Sequence, residues 1–195
     1  MLASGSPRRA EVLTTVDLIF EVVVPDIDET RRPDEPPQTY VERLAREKAT
    51  VGLVGDAVVV AADTVVVHGG KLLGKPGHPE EARAMLRRLE GDRHEVVTGM
   101  AVATPDGSVE SIVDMSRVTF LSMTEEEITD YVATGEPMDK AGAYALQGMA
   151  SRFIESIEGS PYTVIGLPIH FLARLLTAVG SDIAHFSRTQ GSTRR

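Results

Sequence analysis

The sequence predicts an α/β fold: a mixed, partly antiparallel sheet with flanking helices, arranged in two lobes around a central cleft. Three observations predict it. Helical and strand periodicities alternate along the chain, without the strict strand–helix–strand rhythm of a doubly wound sheet. At least two connections, His68-Gly69-Gly70 and Thr104-Pro105-Asp106-Gly107, read as hairpin turns. The 195 residues make one domain or two small lobes, at roughly 100–200 residues per domain.

In chain order, Ser4-Gly5-Ser6-Pro7-Arg8-Arg9 is a hydroxyl- and glycine-rich turn that feeds an apolar-periodic stretch, Ala10, Val12 and Leu13, expected as helix. Thr39 to Ala49 places Val41, Leu44, Ala45 and Lys48 at helical spacing, with Thr39 and Glu42 as its capping box. Ala57 to Ala62 is a β-branched run expected as a strand buried on both faces, and Val65 to Val67 leads into the first hairpin turn. Pro79 to Glu90 is a helix with Pro at its start, acids in its first turn and Gly91 past its end. Glu95 to Ala103 and Val109 to Leu121 are strands flanking the second turn. Thr124 to Thr134 repeats the capping box with Glu127 and stops at Gly135, and Pro168 to Val179 is the closing helix. Residues 1–180 are expected to form a single domain in two lobes. From Ser181 to Arg195 periodicity is lost, and a polar, flexible tail is expected.

Charge and composition exclude several function classes. The net charge is −9; the tail carries +2, which leaves the body at −11. An acidic surface repels polyanions, so a sequence-independent nucleic-acid binder is disfavoured, and an anionic ligand must be met by a local basic site. Cysteine is absent, which removes disulfides, thiolate metal sites and catalytic thiols. No signal peptide and no apolar run of the ~20 residues a membrane helix needs is present, so a cytoplasmic, membrane-free protein is expected.

A few residues carry potential chemistry. Asp63 closes the apolar run Val58 to Ala62, where a carboxylate at a strand end is either a reactive group or a cap on the following turn through Thr64. Lys48 lies on the apolar stripe of its helix, while Glu42, Arg43, Arg46 and Glu47 occupy the other side. Its ammonium either snorkels off the edge or reaches a phosphate in a cleft. Ser4 to Arg9 offers hydroxyls, a helix N-terminus and guanidiniums, which suit phosphate oxygens or simply water. Gly69, Gly74 and Lys75 fit a phosphate-loop spacing, but Pro76 replaces the required Ser or Thr, so only Lys75 survives as a phosphate contact. The five histidines show no zinc spacing. Asp28-Glu29, taken with Asp63, could hold a hard divalent cation through oxygen or be solvated surface.

Taken together, these segments resemble the Maf proteins, nucleoside triphosphate pyrophosphatases once described as septum-formation inhibitors. The resemblance rests on LASGSPRRAEVL (Leu2 to Leu13), DIDE (Asp26 to Glu29), YVERLAREKA (Tyr40 to Ala49), AADTVVV (Ala61 to Val67), LGKP (Leu73 to Pro76), EEARAMLRRLEGDRHEVVTGMAV (Glu80 to Val102), GEPMDKAGAYALQG (Gly135 to Gly148) and GLP (Gly166 to Pro168). It implies a Maf or inosine triphosphate pyrophosphatase-like fold and hydrolysis between the α- and β-phosphates, with a divalent metal, Mg2+ or Mn2+. It further implies Asp63 as general base, Glu29 and Asp63 at the metal, and Ser4, Ser6, Arg9, Lys48 and Lys75 as phosphate contacts. Thr64 and the stretch from Asp139-Lys140 to Gln147 resemble the branch acting on dTTP and UTP, with Arg8, Thr64 and Gln147 as specificity residues and Asp139 and Lys140 as further candidates. A glutamine offers one acceptor and two donors, which suits the imide edge of uracil or thymine. A homodimer is expected by analogy only.

Two features depart from the family pattern. The chain starts at Met1, so either the first strand is truncated or the start codon is misassigned, and Thr163 stands where Asn is common. Alternatives are a 7-methyl-GTP or other modified-nucleotide pyrophosphatase, a nucleotide-binding regulator of division or a checkpoint, and an acidic interaction module. The last leaves the inward Lys48 and Asp63 unexplained.

Overall fold

The computed structural model describes residues 1–187. The chain divides into two compact units: the first comprises Met1–Asp63, Thr98–Asp114 and the chain from Gly166, the second Thr64–Val97 and Met115–Ile165. Among the described residues the sheet has seven strands: β1 (Leu2–Ala3), β2 (Val22–Val23), β3 (Val59–His68), β4 (Lys71–Leu73), β5 (Arg93–Ala103), β6 (Val109–Phe120) and β7 (Ile154–Glu158). Their order is β2-β1-β3-β5-β6-β7, with β4 paired to β3. The sheet is mixed, as expected: β1 runs parallel to β2 and β3, while β3 with β4 and β6 with β7 are antiparallel.

In the first unit, β1 is only two residues long, yet it is held on both sides, with Leu2 opposite Val22 and Val60. The Met1 ammonium adds a bond to the Val58 carbonyl at 2.6 Å. Helix α1 (Pro7–Thr15) follows the Ser4-Gly5-Ser6 turn and helix α2 (Pro37–Val51) packs on the sheet. The contact is made of small side chains, Ala3, Ala45, Ala49, Val59, Ala61, Ala101 and Ala103, which let helix and strands approach closely. Gly99 on β5 is part of this fit, because a Cβ there would sit 2.5 Å from the Val41 carbonyl oxygen of α2. This approach fixes the height at which α2 carries its side chains over the strands.

Several expected boundaries move, for identifiable reasons. Helix α2 starts at Pro37 rather than Thr39, and its N-cap is Pro36 with no side-chain cap. A proline at the first helical position supplies a fitting φ and lacks an N–H that would need a cap, so Thr39 falls inside the first turn and the Thr39/Glu42 box does not form. The closing helix is also split: a 3-10 turn over Ile169–Phe171 precedes α6 (Leu172–Ala178). The loss of periodicity at Ser181 does not leave the chain irregular at once, since a 3-10 turn spans Ile183–Phe186. Asp182 caps it by accepting from the Ala184 amide at 2.9 Å, and Ile19 N–H donates to the Phe186 carbonyl at 2.7 Å. The rest of the expected tail, residues 188–195, lies outside the described residues.

In the second unit the β3–β4 hairpin turns through Gly69 (φ 54°) and Gly70 (φ 73°), two successive left-handed residues of the kind that a two-residue hairpin loop demands. Helices α3 (Pro79–Leu89) and α4 (Glu125–Ala133) bury Ala82, Met85, Leu86, Leu89, Ile128, Tyr131 and Val132, and the Thr124/Glu127 capping box is present. Phe120, Tyr144 and Phe153 share that core, and the short helix α5 (Pro161–Ile165) contains Thr163, which is fully buried.

Candidate active site

The first unit assembles its site from three local features. The stripe that buries Val41, Leu44, Ala45 and Ala49 carries Lys48 inward, 9% exposed. Strand β3 presents Asp63, also 9% exposed. Contrary to the strand-end reading, β3 does not stop there but runs on to His68. Asp63 therefore caps no turn. The carboxylate finds its partner in a side chain: Lys48 Nζ donates to Asp63 Oδ1 at 2.6 Å. The same ammonium sits 2.8 Å from Glu29 Oε1, so two carboxylates meet on one lysine.

Glu29 belongs to a loop that α2 holds in place. Tyr40 Oη donates to the Glu29 carbonyl at 2.8 Å, and Arg43 Nη2 to the Thr30 carbonyl at 3.2 Å. Arg43 also grips buried Glu35 with Nε and Nη2 at 2.7 and 2.9 Å, and Glu35 accepts from the Arg32 amide at 3.0 Å. Hydrogen bonds from Arg43 hold the Glu35 carboxyl down at about 2 and push the Arg43 guanidinium up. The nearby charges of Asp63 and Glu29 add to burial in pushing the Tyr40 phenol up. Neither Glu35 nor Arg43 is conspicuous in the sequence. They lie eight positions apart across a Pro-Pro start, where no local period links them, and Arg43 sits on the polar side of α2.

Arg9 of α1 ties three further pieces together: Nε donates to the Gly166 carbonyl at 2.8 Å, and Nη1 to the Ala62 carbonyl at 2.7 Å and to Ser4 Oγ at 3.1 Å. Burial lowers its pKa, opposed by the charge of Asp63. Ser4 is buried and also accepts from the Ser6 amide at 3.2 Å. Ser6 is the N-cap of α1, and Arg8 lies in its first turn. Thus Ser4, Ser6, Arg8, Arg9, Glu29, Lys48 and Asp63 all lie in one unit.

The remaining expected residues, Thr64, Lys75, Asp139, Lys140 and Gln147, belong to the second unit. There, the Gly142 amide donates to the Gly74 carbonyl at 3.0 Å, joining the neighbour of Lys75 to the segment that begins at Asp139. Lys140 Nζ donates to the Glu136 carbonyl and to Asp139 Oδ1, both at 2.6 Å. Lys75 and Gln147 are exposed, and Thr64 is half-buried on β3.

The donor set fits a hard divalent cation. Glu29 and Asp63 offer carboxylate oxygens within reach of one positive centre, and magnesium binds through one or two carboxylates together with substrate phosphates. Among the described residues no cluster of three or more His, Cys, Asp or Glu forms a self-sufficient metal cage.

The scaffold and this centre define an α/β protein with a carboxylate–ammonium site built on helix α2 and strand β3. The chain belongs to the Maf family: the model of Maf-like proteins matches residues 1–179. A dTTP/UTP pyrophosphatase of Hahella chejuensis is 47% identical over 94% of this chain and 93% of its own. One of Bacillus mycoides is 44% identical over 95% and 97%, and one of Syntrophus aciditrophicus 48% identical over 93% and 90%. Among solved structures, the Ham1 protein of Staphylococcus aureus is 14% identical and covers 78% of this chain and 88% of its own, with a TM-score of 0.44.

Proposed function

We propose that the protein is a nucleoside triphosphate pyrophosphatase that hydrolyses dTTP and UTP between the α- and β-phosphates, giving the monophosphate and pyrophosphate. The observation that carries this reading is the meeting of Asp63 and Glu29 on Lys48 in a chain that matches dTTP/UTP pyrophosphatases over nine-tenths of its length. Asp63 is the general base: it orients water and accepts its proton as the new P–O bond forms and the anhydride bond to the leaving pyrophosphate breaks. Lys48 holds Asp63 in place and offers its ammonium to phosphate oxygens. Arg9, with Ser4, Ser6 and the start of α1, adds positive charge and N–H donors for the triphosphate, and Lys75 adds a second ammonium. Mg2+ or Mn2+, bound by Glu29 and Asp63, would stabilise charge on the phosphate oxygens. Arg8, Thr64 and Gln147 select the base, with Asp139 and Lys140 supporting that choice. A cytoplasmic setting suits this substrate. No helix among the described residues is long and apolar enough to cross a membrane.

The test is a panel of dTTP, UTP, ATP, GTP and 7-methyl-GTP, assayed with Mg2+ and with Mn2+. The highest kcat/KM is expected for dTTP and UTP, and Asp63→Asn should lower kcat by about 10²–10⁴-fold, the scale of general-base catalysis, while nucleotide still binds. A preference for 7-methyl-GTP would overturn the substrate reading, and wild-type turnover by Asp63→Asn would remove Asp63 as the base.

A further inference from the structure

The segment from Asp139 to Gln147 contains a strained turn, and the contact that holds its far end involves a residue with no part in the chemistry above. Gly142 (φ 68°) and Ala143 (φ 62°) are successive left-handed residues. Glycine is required at the first, because a Cβ there would stand 2.8 Å from Val66. Ala143 has no such freedom. The other non-glycine residues with positive φ among those described, Asp17 and Asp34, are exposed aspartates, a type that tolerates the conformation, whereas Ala143 is fully buried. Such a conformation persists where the surroundings over-determine it. Two backbone bonds do so on one side: Gly142 N–H to the Gly74 carbonyl, and Ala143 N–H to the Lys140 carbonyl, both at 3.0 Å.

On the other side stands Tyr144. Its Oη lies 2.8 Å from Nε2 of His94 on β5. The two rings and Phe120 form an edge-on trio with centroid separations of 4.8 to 5.3 Å. His94 is 2% exposed, and its Nδ1 has no hydrogen-bond partner. An apolar ring would fill this core position without stranding a polar atom, so packing alone does not account for an imidazole. The bond to Tyr144 does. An unpaired N–H is the costlier atom to bury, so the favoured tautomer has Nε2–H donating to Tyr144 and leaves a lone pair on Nδ1. Downstream, Gly148 packs on Glu136, whose carboxylate accepts from the Met149 amide at 3.0 Å. Only residues 145–147 separate the two anchors.

We propose that His94 is a positioning residue for substrate selection: through its bond to Tyr144 it fixes the left-handed turn at Gly142-Ala143 and, with it, the placement of Gln147. This rests on the reading that Gln147 helps to choose the nucleotide base. Positioning a base-reading side chain affects binding of the preferred triphosphates more than the rate of anhydride cleavage.

The experiment compares wild type, His94→Phe, His94→Gln, Tyr144→Phe and the double variant His94→Phe/Tyr144→Phe. His94→Phe and Tyr144→Phe should each raise KM for dTTP and UTP by about tenfold, the scale of one hydrogen bond, with kcat within about threefold and a reduced preference over ATP. The double variant should be no worse than either single one, and His94→Gln, which keeps an N–H donor, should recover part of the loss. Additive effects, or an equal fall in kcat for every triphosphate at unchanged KM, would overturn the proposal. Hydrogen–deuterium exchange on Tyr144→Phe, which removes a single oxygen, gives a readout free of substrate. Faster exchange over residues 141–147 is expected, and unchanged exchange refutes the link. If wild type shows no dTTP or UTP preference but exchange responds as expected, the functional reading fails while the His94–Tyr144 anchor stands.

Discussion

Two buried titratable groups outside the carboxylate–ammonium centre, His94 and Glu35, contribute to the acid behaviour of this protein. Burial holds His94 down from 6.5 to about 4, so it stays neutral in the fold while the unfolded chain takes up a proton. The sign follows from proton counts: between those values the unfolded state binds more protons, so stability is full above pH 6.5 and is lost as pH falls towards 4, by about 3 kcal/mol if the whole shift is realised. Glu35, held down from 4.5 to about 2 by Arg43, contributes stability that is present above 4.5 and lost as pH falls through 2. Urea unfolding across pH 3–8 should therefore show two successive losses on acidification, and His94→Phe should remove the upper one. A pH dependence unchanged in His94→Phe between 6.5 and 4 contradicts this account. At this scale the sequence was partly transparent. Lys48 and Asp63 stood out because each broke an apolar pattern, and Glu29 because it lay in an acid pair. Arg43, Glu35 and the role of His94 were invisible, since each acts through a partner distant in sequence.

Among the elements, helix α2 does the most positioning. It carries Lys48 on its buried face and anchors the Glu29 loop through Tyr40 and Arg43. Its seat on the sheet depends on Gly99, where an added Cβ would meet the backbone of Val41 and Glu42 at 2.5 to 2.8 Å. Backbone cannot step aside as a flexible side chain can, so Gly99→Ala should destabilise the protein by about 3 kcal/mol, at the upper end of overpacking effects. Thermal and denaturant unfolding measure this, and a variant as stable as wild type would show that α2 does not need the close approach. Apolar period revealed α2, α3 and α4, with a capping box that forms only at α4, and paired glycines revealed the first hairpin. Boundaries failed where proline overrode a capping motif at Pro37 and where the closing helix gave way to a 3-10 turn. Strand β7 and the 3-10 turns left no period long enough to read.

For the molecule as a whole, the sequence disclosed a mixed α/β chain but not where its two units divide. The changes of unit fall at Asp63/Thr64, Val97/Thr98 and Asp114/Met115, inside β3, β5 and β6. No glycine or proline cluster marks those points, because strand sequence continues through them. The net charge of −9 keeps its meaning at this scale: in an acidic body the few inward cations are significant, and Lys48 and Arg9 are fixed by specific partners rather than spread over a basic surface. The proposed reaction is cleavage of a pyrimidine triphosphate between its first two phosphates. Phosphorus NMR of dTTP incubated with the protein and Mg2+ tests it most directly. Paired growth of dTMP and pyrophosphate signals is expected; growth of dTDP and orthophosphate would show cleavage at the outer anhydride instead.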